Sequence, residues 1–404
     1  MAGSEVLIIG GGITGASTAW HLAQQGHGVT LLERGDVASE ASGVNAGSIG
    51  ALGWGALPDL QAYLTMGSLE IFKSLQLDQD YDIEFRASGS LQAIHTEAQY
   101  EYARDRVLTL RSQGYSVELL TTREVLSMEP EANPRLLGFT YFPLRSQADP
   151  VKATRALASA ASRHGADVIT GREVTAVHVL GDSTFRVETD DGDIRSQVLV
   201  LAVGAWSGPL GKMLGLNIPI VPVRGQMWAT EALPPKVFHT ITSAESAYDW
   251  SLEPNGSGDA PPELTHRGKT RITRHLYGRQ TRSGQIIFGG DRQQVGYDNA
   301  PDATGIEVNR GHAAEVLPFL NDVPVQRTWS GLMPFSMDGK PIIGKIPQVE
   351  NLYIVSGLAS SGFGRGPMAG KLVADYIHGG HRPQVLAECD PARCVTASGC
   401  PESR

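Results

Sequence analysis

Glu5–Ile9, Gly28–Glu33, Asp167–Thr170, Val198–Ala202 and Leu352–Val355 are short stretches in which apolar residues follow one another with little alternation. A strand reads that way when both of its faces are covered, so these stretches predict a parallel sheet with helices on either side. Helical spacing of apolar positions is clearest over Gly15–Gln25, Pro150–His164 and Pro367–Ile377. The second of these opens on Asp149-Pro150, an N-cap oxygen followed by proline at the first helical position. Ser88–Ala93 and Ser283–Gly290 are of another kind, alternating or β-rich, and polar connections such as 253–269 lie among them. Because the two kinds of segment interleave, two domains built from discontinuous pieces are expected. One takes 1–86, 149–222 and 326–380, the other takes 87–148 and 223–325, and 381–404 form a C-terminal tail.

The composition narrows the function. At 41% hydrophobic and 19% charged, the 404-residue chain has the makeup of a folded globular protein. Its net charge of −9 disfavours nucleic acid or an anionic membrane as the main partner. The apolar runs fall short of the roughly 18 residues a membrane helix needs, so no span is expected. Met1–Val6 offers no basic stretch followed by an apolar one, and the cytoplasm is the expected location. The cysteines are Cys389, Cys394 and Cys400, which leaves the first 388 residues without a thiol nucleophile. Their spacing contains no CxxC pair, so the tail is read as a mobile end and no metal is expected.

Candidate chemistry begins with glycine. Gly10-Gly11-Gly12-Ile13-Thr14-Gly15 follows a predicted strand and opens a predicted helix, and Glu33 closes the next strand. In such a unit Gly10 permits the tight turn, Gly12 lets the backbone approach a pyrophosphate, and Gly15 allows helix and strand to pack closely. The helix start offers N–H groups to the anion, and Glu33 can accept from a ribose diol. Arg34 could meet the 2′-phosphate of NADP, but Glu33 would repel it. Two further segments favour a flavin over a nicotinamide. Ala38–Gly50 is a run of small, hydroxyl- and amide-bearing residues suited to a second phosphate and a ribityl chain, and Ser356–Pro367 is a glycine-rich turn ahead of another helix. A helix start there would stabilise negative charge on a reduced isoalloxazine.

Together these segments resemble the FAD-dependent D-amino acid oxidase, glycine oxidase and sarcosine oxidase superfamily over nearly all of residues 4–380. The likeness also runs through Ala202-Val-Gly204-Ala-Trp206-Ser207, Pro222-Val-Arg224-Gly225-Gln226 and Asp338-Gly339-Lys-Pro341-Ile-Ile-Gly344. It implies a discontinuous Rossmann-like FAD-binding domain, α/β, interleaved with an α+β substrate domain on a mostly antiparallel sheet. By this resemblance FAD is held by the fingerprint (Gly10, Gly12, Ile13, Thr14, Gly15), by Glu33 and Arg34, and by the loop of Ser42, Asn45, Ala46 and Gly47. The backbone of Val174 would meet the adenine, Gly204 and Trp206 would close over the cofactor, and Met333, Gly362, Phe363, Gly364 and Arg365 would complete the cradle.

Some relatives bind FAD covalently through a histidine or a cysteine; Asn45 and Gly331 stand at those positions, so non-covalent FAD is expected. The Gly-Leu-Arg-Pro motif whose arginine clamps a substrate carboxylate reads Gly331-Leu332-Met333-Pro334, and Gly364 stands where sarcosine oxidases carry a lysine. Arg365, Arg224, Arg274 or Arg279 would then hold the carboxylate, or the substrate is a bulkier, more apolar amine. The implied reaction oxidises the C–N bond of a primary or secondary amine or amino acid to an imine by hydride transfer to the flavin, followed by hydrolysis. His275, Tyr277 and Arg279 would share one face of a strand turned to the flavin and meet the substrate. Tyr248, Trp250 and Trp54 could add apolar walls. Oxygen, or a protein or quinone, would take the electrons. The alternatives are the flavin subunit of a multi-subunit proline, hydroxyproline or opine dehydrogenase, a 2-hydroxy acid dehydrogenase, and an electron-relay subunit; a homo- or hetero-oligomer fits either case.

Overall fold

The computed structural model describes residues 2–50, 60–252, 266–267, 270–271 and 273–398. The apolar runs form the centre of an eight-stranded sheet in the order Ile342–Lys345, Leu352–Ser356, Gly192–Leu201, Ala2–Ile9, Val29–Leu32 and Asp167–Ile169. Leu352–Ser356 through Asp167–Ile169 are parallel to one another, while Ile342–Lys345 runs antiparallel at the edge. Val6, Leu7 and Ile8 are fully buried, as the lack of alternation requires. Phe185–Thr189 and Val174–Val179 extend the sheet from Gly192–Leu201.

The helices Ile13–Gln24, Leu60–Leu77, Pro150–Arg163 and Gly362–Gly379 pack together over one face of this sheet. Asp149 caps the third of them, accepting from the Lys152 N–H at 2.8 Å. The last helix differs from the expectation. It begins at Gly362, not Pro367, so the glycine-rich stretch forms its first turn. Pro367 thus lies inside the helix, beyond its first turn, where it cannot donate the usual bond to the Phe363 carbonyl. The Pro367 carbonyl accepts from Ser17 Oγ at 2.6 Å, tying the last helix to the first. At the crossing a Cβ on Gly370 would stand 2.6 Å from the Thr14 oxygen and 2.8 Å from Ser17 Cβ, so the two helices touch backbone to backbone.

The second eight-stranded sheet runs Arg327–Ser336, Ile220–Ala232, Gln285–Gln293, Tyr277–Gln280, Thr240–Ser243, Ser90–Ile94, Gly138–Phe142 and Glu118–Leu120. All its pairings are antiparallel except Thr240–Ser243 with Ser90–Ile94. The α/β and α+β reading therefore holds. Arg327–Ser336 pairs along its length with Ile220–Ala232, which puts 327–336 in the second sheet, although the pattern grouped 326–380 with the first.

The tail is also corrected. Up to Ser398 it is docked, not mobile: Leu386 and Cys389 are fully buried, Thr396–Ala397 pairs with Leu216–Asn217, and Arg393 is ion-paired with Asp338. Burial pushes the Cys389 thiol up to about 12, which keeps it protonated and unreactive. Cys400, Trp54, most of 253–269 and the Trp250 side chain lie outside the described residues. Among the described residues no group of His, Cys, Asp and Glu is arranged to hold a metal, and no helix is long and apolar enough to cross a membrane.

Candidate active site

A cavity of about 460 Å³ lies between the two sheets, at the carboxyl ends of the parallel strands. Ile9, Gly10, Gly12, Glu33 and Val174 line one end of it. Gly10 has φ +112°, and a Cβ there would fall 2.4 Å from the Ala202 carbonyl oxygen. Gly15 sits behind the cavity, where a Cβ would be 2.0 Å from the Gly10 oxygen, so the strand and helix meet through their backbones. At Gly12 the nearest atom to a Cβ is Ser42 Oγ at 3.1 Å, and a methyl group would take up cavity space. The buried Glu33 carboxylate accepts from the Gly11 N–H at 2.7 Å and the Gly35 N–H at 2.8 Å, which leaves lone pairs for two hydroxyls. Ser42 Oγ occupies the Ile13 N–H at 2.9 Å. The helix start thus presents a hydroxyl where a bare N–H was expected. Arg34 stacks 4.0 Å over the Trp206 ring and pairs with Glu40, holding the rim of this end.

The small-residue loop is folded by its own amide. Asn45 Nδ2 donates to the Ala41 and Ser42 carbonyls, and its Oδ1 accepts from the Gly47 N–H at 2.7 Å. Arg279 then fastens the loop from behind: Nε donates to the Ala46 carbonyl at 2.5 Å and a terminal nitrogen to the Ala148 carbonyl at 3.1 Å. Arg279 does not line the cavity. The strand begins only at Tyr277, and two residues further along the same face has passed the cavity and reached the loop, so Arg279 is placed as a brace and not as a substrate contact. Ala46, Gly47 and Gly15 likewise shape the cradle without lining it.

His275 and Tyr277 do line the other end, with Met227, Met333, Gly364 and Arg365. Burial, with the charges of Arg292 and His312, holds the His275 imidazole well below its usual range, so it is neutral at physiological pH. Its Nδ1 is 2.9 Å from Ser246 Oγ. Burial pushes the Tyr277 hydroxyl up to about 12, and it is hydrogen-bonded to the Ala46 backbone. Ile13, Thr14, Ser42, Asn45, Gly204, Trp206, Gly362 and Phe363 line the same cavity, so residues far apart in sequence converge on it. Tyr248 does not; its ring packs edge-on against Tyr102. Sequence reading missed Gln92, Arg145, Thr242 and Ser246, which also face the cavity. For Arg145 a signal exists: it is the one charged residue between Leu136 and Ala148.

A family model, FAD dependent oxidoreductase (DAO), matches residues 5–376. The chain belongs to the DAO family. Glycine oxidase of Bacillus subtilis (strain 168) is 28% identical over 377 residues, covering 92% of each chain. The mitochondrial dimethylglycine dehydrogenase of Mus musculus is 26% identical, with 96% of this chain matched to 44% of that one. In structure the chain matches the glycine oxidase of Geobacillus kaustophilus with a TM-score of 0.83 at 25% identity, covering 96% of this chain and 98% of that one. The fold is shared by the L-proline dehydrogenase of P. horikoshii, with a TM-score of 0.80 at 24% identity over 97% and 98% of the two chains.

The cofactor of this DAO-family chain is FAD, and the cradle fits it. Gly12 leaves room for a pyrophosphate, Glu33 suits a ribose diol, and the Gly362–Gly379 helix aims its first turn at the cavity. A Cβ on Gly331 would lie 2.3 Å from Val44 Cγ2, so no linking cysteine fits there, and the Asn45 amide is spent inside its loop. Acid precipitation is accordingly expected to release all yellow colour into the supernatant. Flavin pelleting with the polypeptide would contradict non-covalent binding.

Proposed function

We propose that the protein oxidises the C–N bond of an amino acid or amine in the chamber between Tyr277, His275, Met227 and Met333. The observation that carries this reading is the convergence of both glycine-rich helix starts and the Tyr277 strand on one cavity. When bound, FAD accepts the hydride from the carbon next to the amine. The chain's own groups orient the substrate and set its protonation. Met227 and Met333 give the chamber an apolar lining, which disfavours the ammonium and so leaves the amine neutral. A neutral His275, held against Ser246, lines the chamber beside the amine, and the protonated Tyr277 hydroxyl is a donor.

Tyr277→Phe and His275→Ala are each expected to lower kcat about 10- to 100-fold with flavin content unchanged. Steady-state kinetics normalised to the 450-nm absorbance measure this, and parental rates in both variants would remove the two residues from the site. The reaction class is tested by anaerobic bleaching of the holoenzyme with primary amines, secondary amines, D- and L-amino acids and cyclic imino acids. A flavin that none of them reduces would overturn the reading. Free amine or ammonia among the products separates C–N oxidation from 2-hydroxy acid oxidation. The glycine oxidases among the relatives support oxygen as the acceptor, which oxygen uptake by the isolated chain would test, and a cytoplasmic location is part of the same proposal.

A further inference from the structure

The second-sheet wall of the cavity carries a cation that the catalytic reading leaves unused. Arg145 follows the Gly138–Phe142 strand, is 6% exposed, and lines the same cavity as Tyr277. Its guanidinium lies 4.4 Å over the Phe142 ring and donates to Ser90 Oγ at 3.3 Å. Burial and the neighbouring Arg106 cation both bear on its guanidinium. Beside it Gln92 and Thr242, also in the lining, stand opposite each other on paired parallel strands. Among the described residues, Thr242 Oγ1 and, from the Leu60–Leu77 helix, Thr65 Oγ1 are buried cavity-lining hydroxyls without a hydrogen-bond partner. A buried hydroxyl left unsatisfied is unfavourable, which points to a polar ligand group that completes them.

The cations expected from sequence are committed elsewhere. Arg224 is bonded to Gln293, Asp298 and the Ala300 carbonyl, Arg274 to Glu245 and Glu315, and Arg279 to two loop carbonyls. Arg365 lines the cavity from the last helix, where it donates to Gln61.

We infer that Arg145 holds the carboxylate of an amino acid substrate, with the Thr242 hydroxyl donating beside it. The clamp thus moves from Met333, on the edge strand Arg327–Ser336, to the turn after Gly138–Phe142 of the same sheet, and Met333 with Met227 is left to pack an apolar side chain. The substrate class is an amino acid with an apolar side chain, and the assignment rests on the proposed C–N oxidation. A guanidinium makes two parallel charge-assisted bonds to a carboxylate, which a thioether or an ammonium cannot.

The test uses holoenzyme, with propionate and its neutral analogue propionamide titrated against the visible flavin spectrum. Propionate is expected to bind at least 30-fold more weakly to Arg145→Met than to the parent, with propionamide changed less than threefold and Arg145→Lys in between. Amino acids should lose kcat/KM mainly through KM, while the corresponding decarboxylated amines keep theirs within threefold. If Arg145→Met retains no flavin, Arg145→Lys and Thr242→Val decide, each expected to weaken propionate at least threefold. Parental propionate affinity in the flavin-retaining variants, or a loss on Arg365→Met that Arg145 variants do not show, overturns the assignment. That outcome leaves the C–N oxidation standing if amines still bleach the flavin, whereas a flavin reduced by no amine or amino acid strikes the proposed function itself.

Discussion

Gly10→Ala is expected to purify colourless and to take up no FAD on reconstitution. The position has φ +112°, which costs an L-residue about 1–3 kcal/mol, and the new methyl would sit 2.4 Å from the Ala202 oxygen. That carbonyl belongs to the neighbouring parallel-strand end, where Ala202 N–H is bonded to Ile9 O, and cannot retreat without breaking the ladder. Relief must come from the turn itself, which displaces Gly12 and Ile13 from the phosphate end. Gly12→Ala makes the contrast. Its methyl meets only Ser42 Oγ at 3.1 Å, so the fold and thermal midpoint should be kept while the cofactor is blocked by occupied space. The 450/280-nm absorbance ratio and thermal denaturation distinguish the two, and a stoichiometric flavin content in Gly10→Ala would refute the first prediction.

Arg279→Met should be the most damaging substitution among residues that do not touch the cavity. It removes both donors to the Ala46 and Ala148 carbonyls and leaves buried oxygens unsatisfied, a loss of about 2–4 kcal/mol in stability. The small-residue loop loses its fastening, so FAD affinity should fall tenfold or more. Arg279→Lys should recover only part, because one ammonium on a flexible stem cannot reproduce the planar fork that spans two carbonyls. Denaturant melts of the apo chain and flavin titration report the two effects separately. Unchanged FAD affinity in Arg279→Met would show that the brace is not needed.

What was legible in the sequence is what local physics dictates. The buried strands, the Asp149-Pro150 helix start and the Gly10–Gly15 turn each depend on residues within one or two turns of the chain. The last helix was misjudged by five residues because proline usually marks a helix start, whereas here Pro367 lies inside the helix and the glycine-rich residues ahead of it are already helical. Arg279 was placed on the right face of its strand, but the face meets the cavity at Tyr277 and a loop at Arg279, a distinction set by tertiary packing. Arg145 lies on a turn between two strands and enters the cavity only because Ser90–Ile94 and Thr240–Ser243 pair beside it. The docking of the tail depends on the Leu216–Asn217 strand and on Asp338, far from it in sequence.

The crossing of the Ile13–Gln24 and Gly362–Gly379 helices sets a timetable for the newborn chain. The first helix leaves the ribosome long before its partner surface, from which 350 residues separate it, has been made. Until then the coenzyme has half a socket and greasy helix faces lie bare, which invites chaperones. Pigment should therefore be acquired only once residues 362–379 have been made, and a stop codon ahead of residue 362 would produce aggregate rather than a pale, weakly active enzyme.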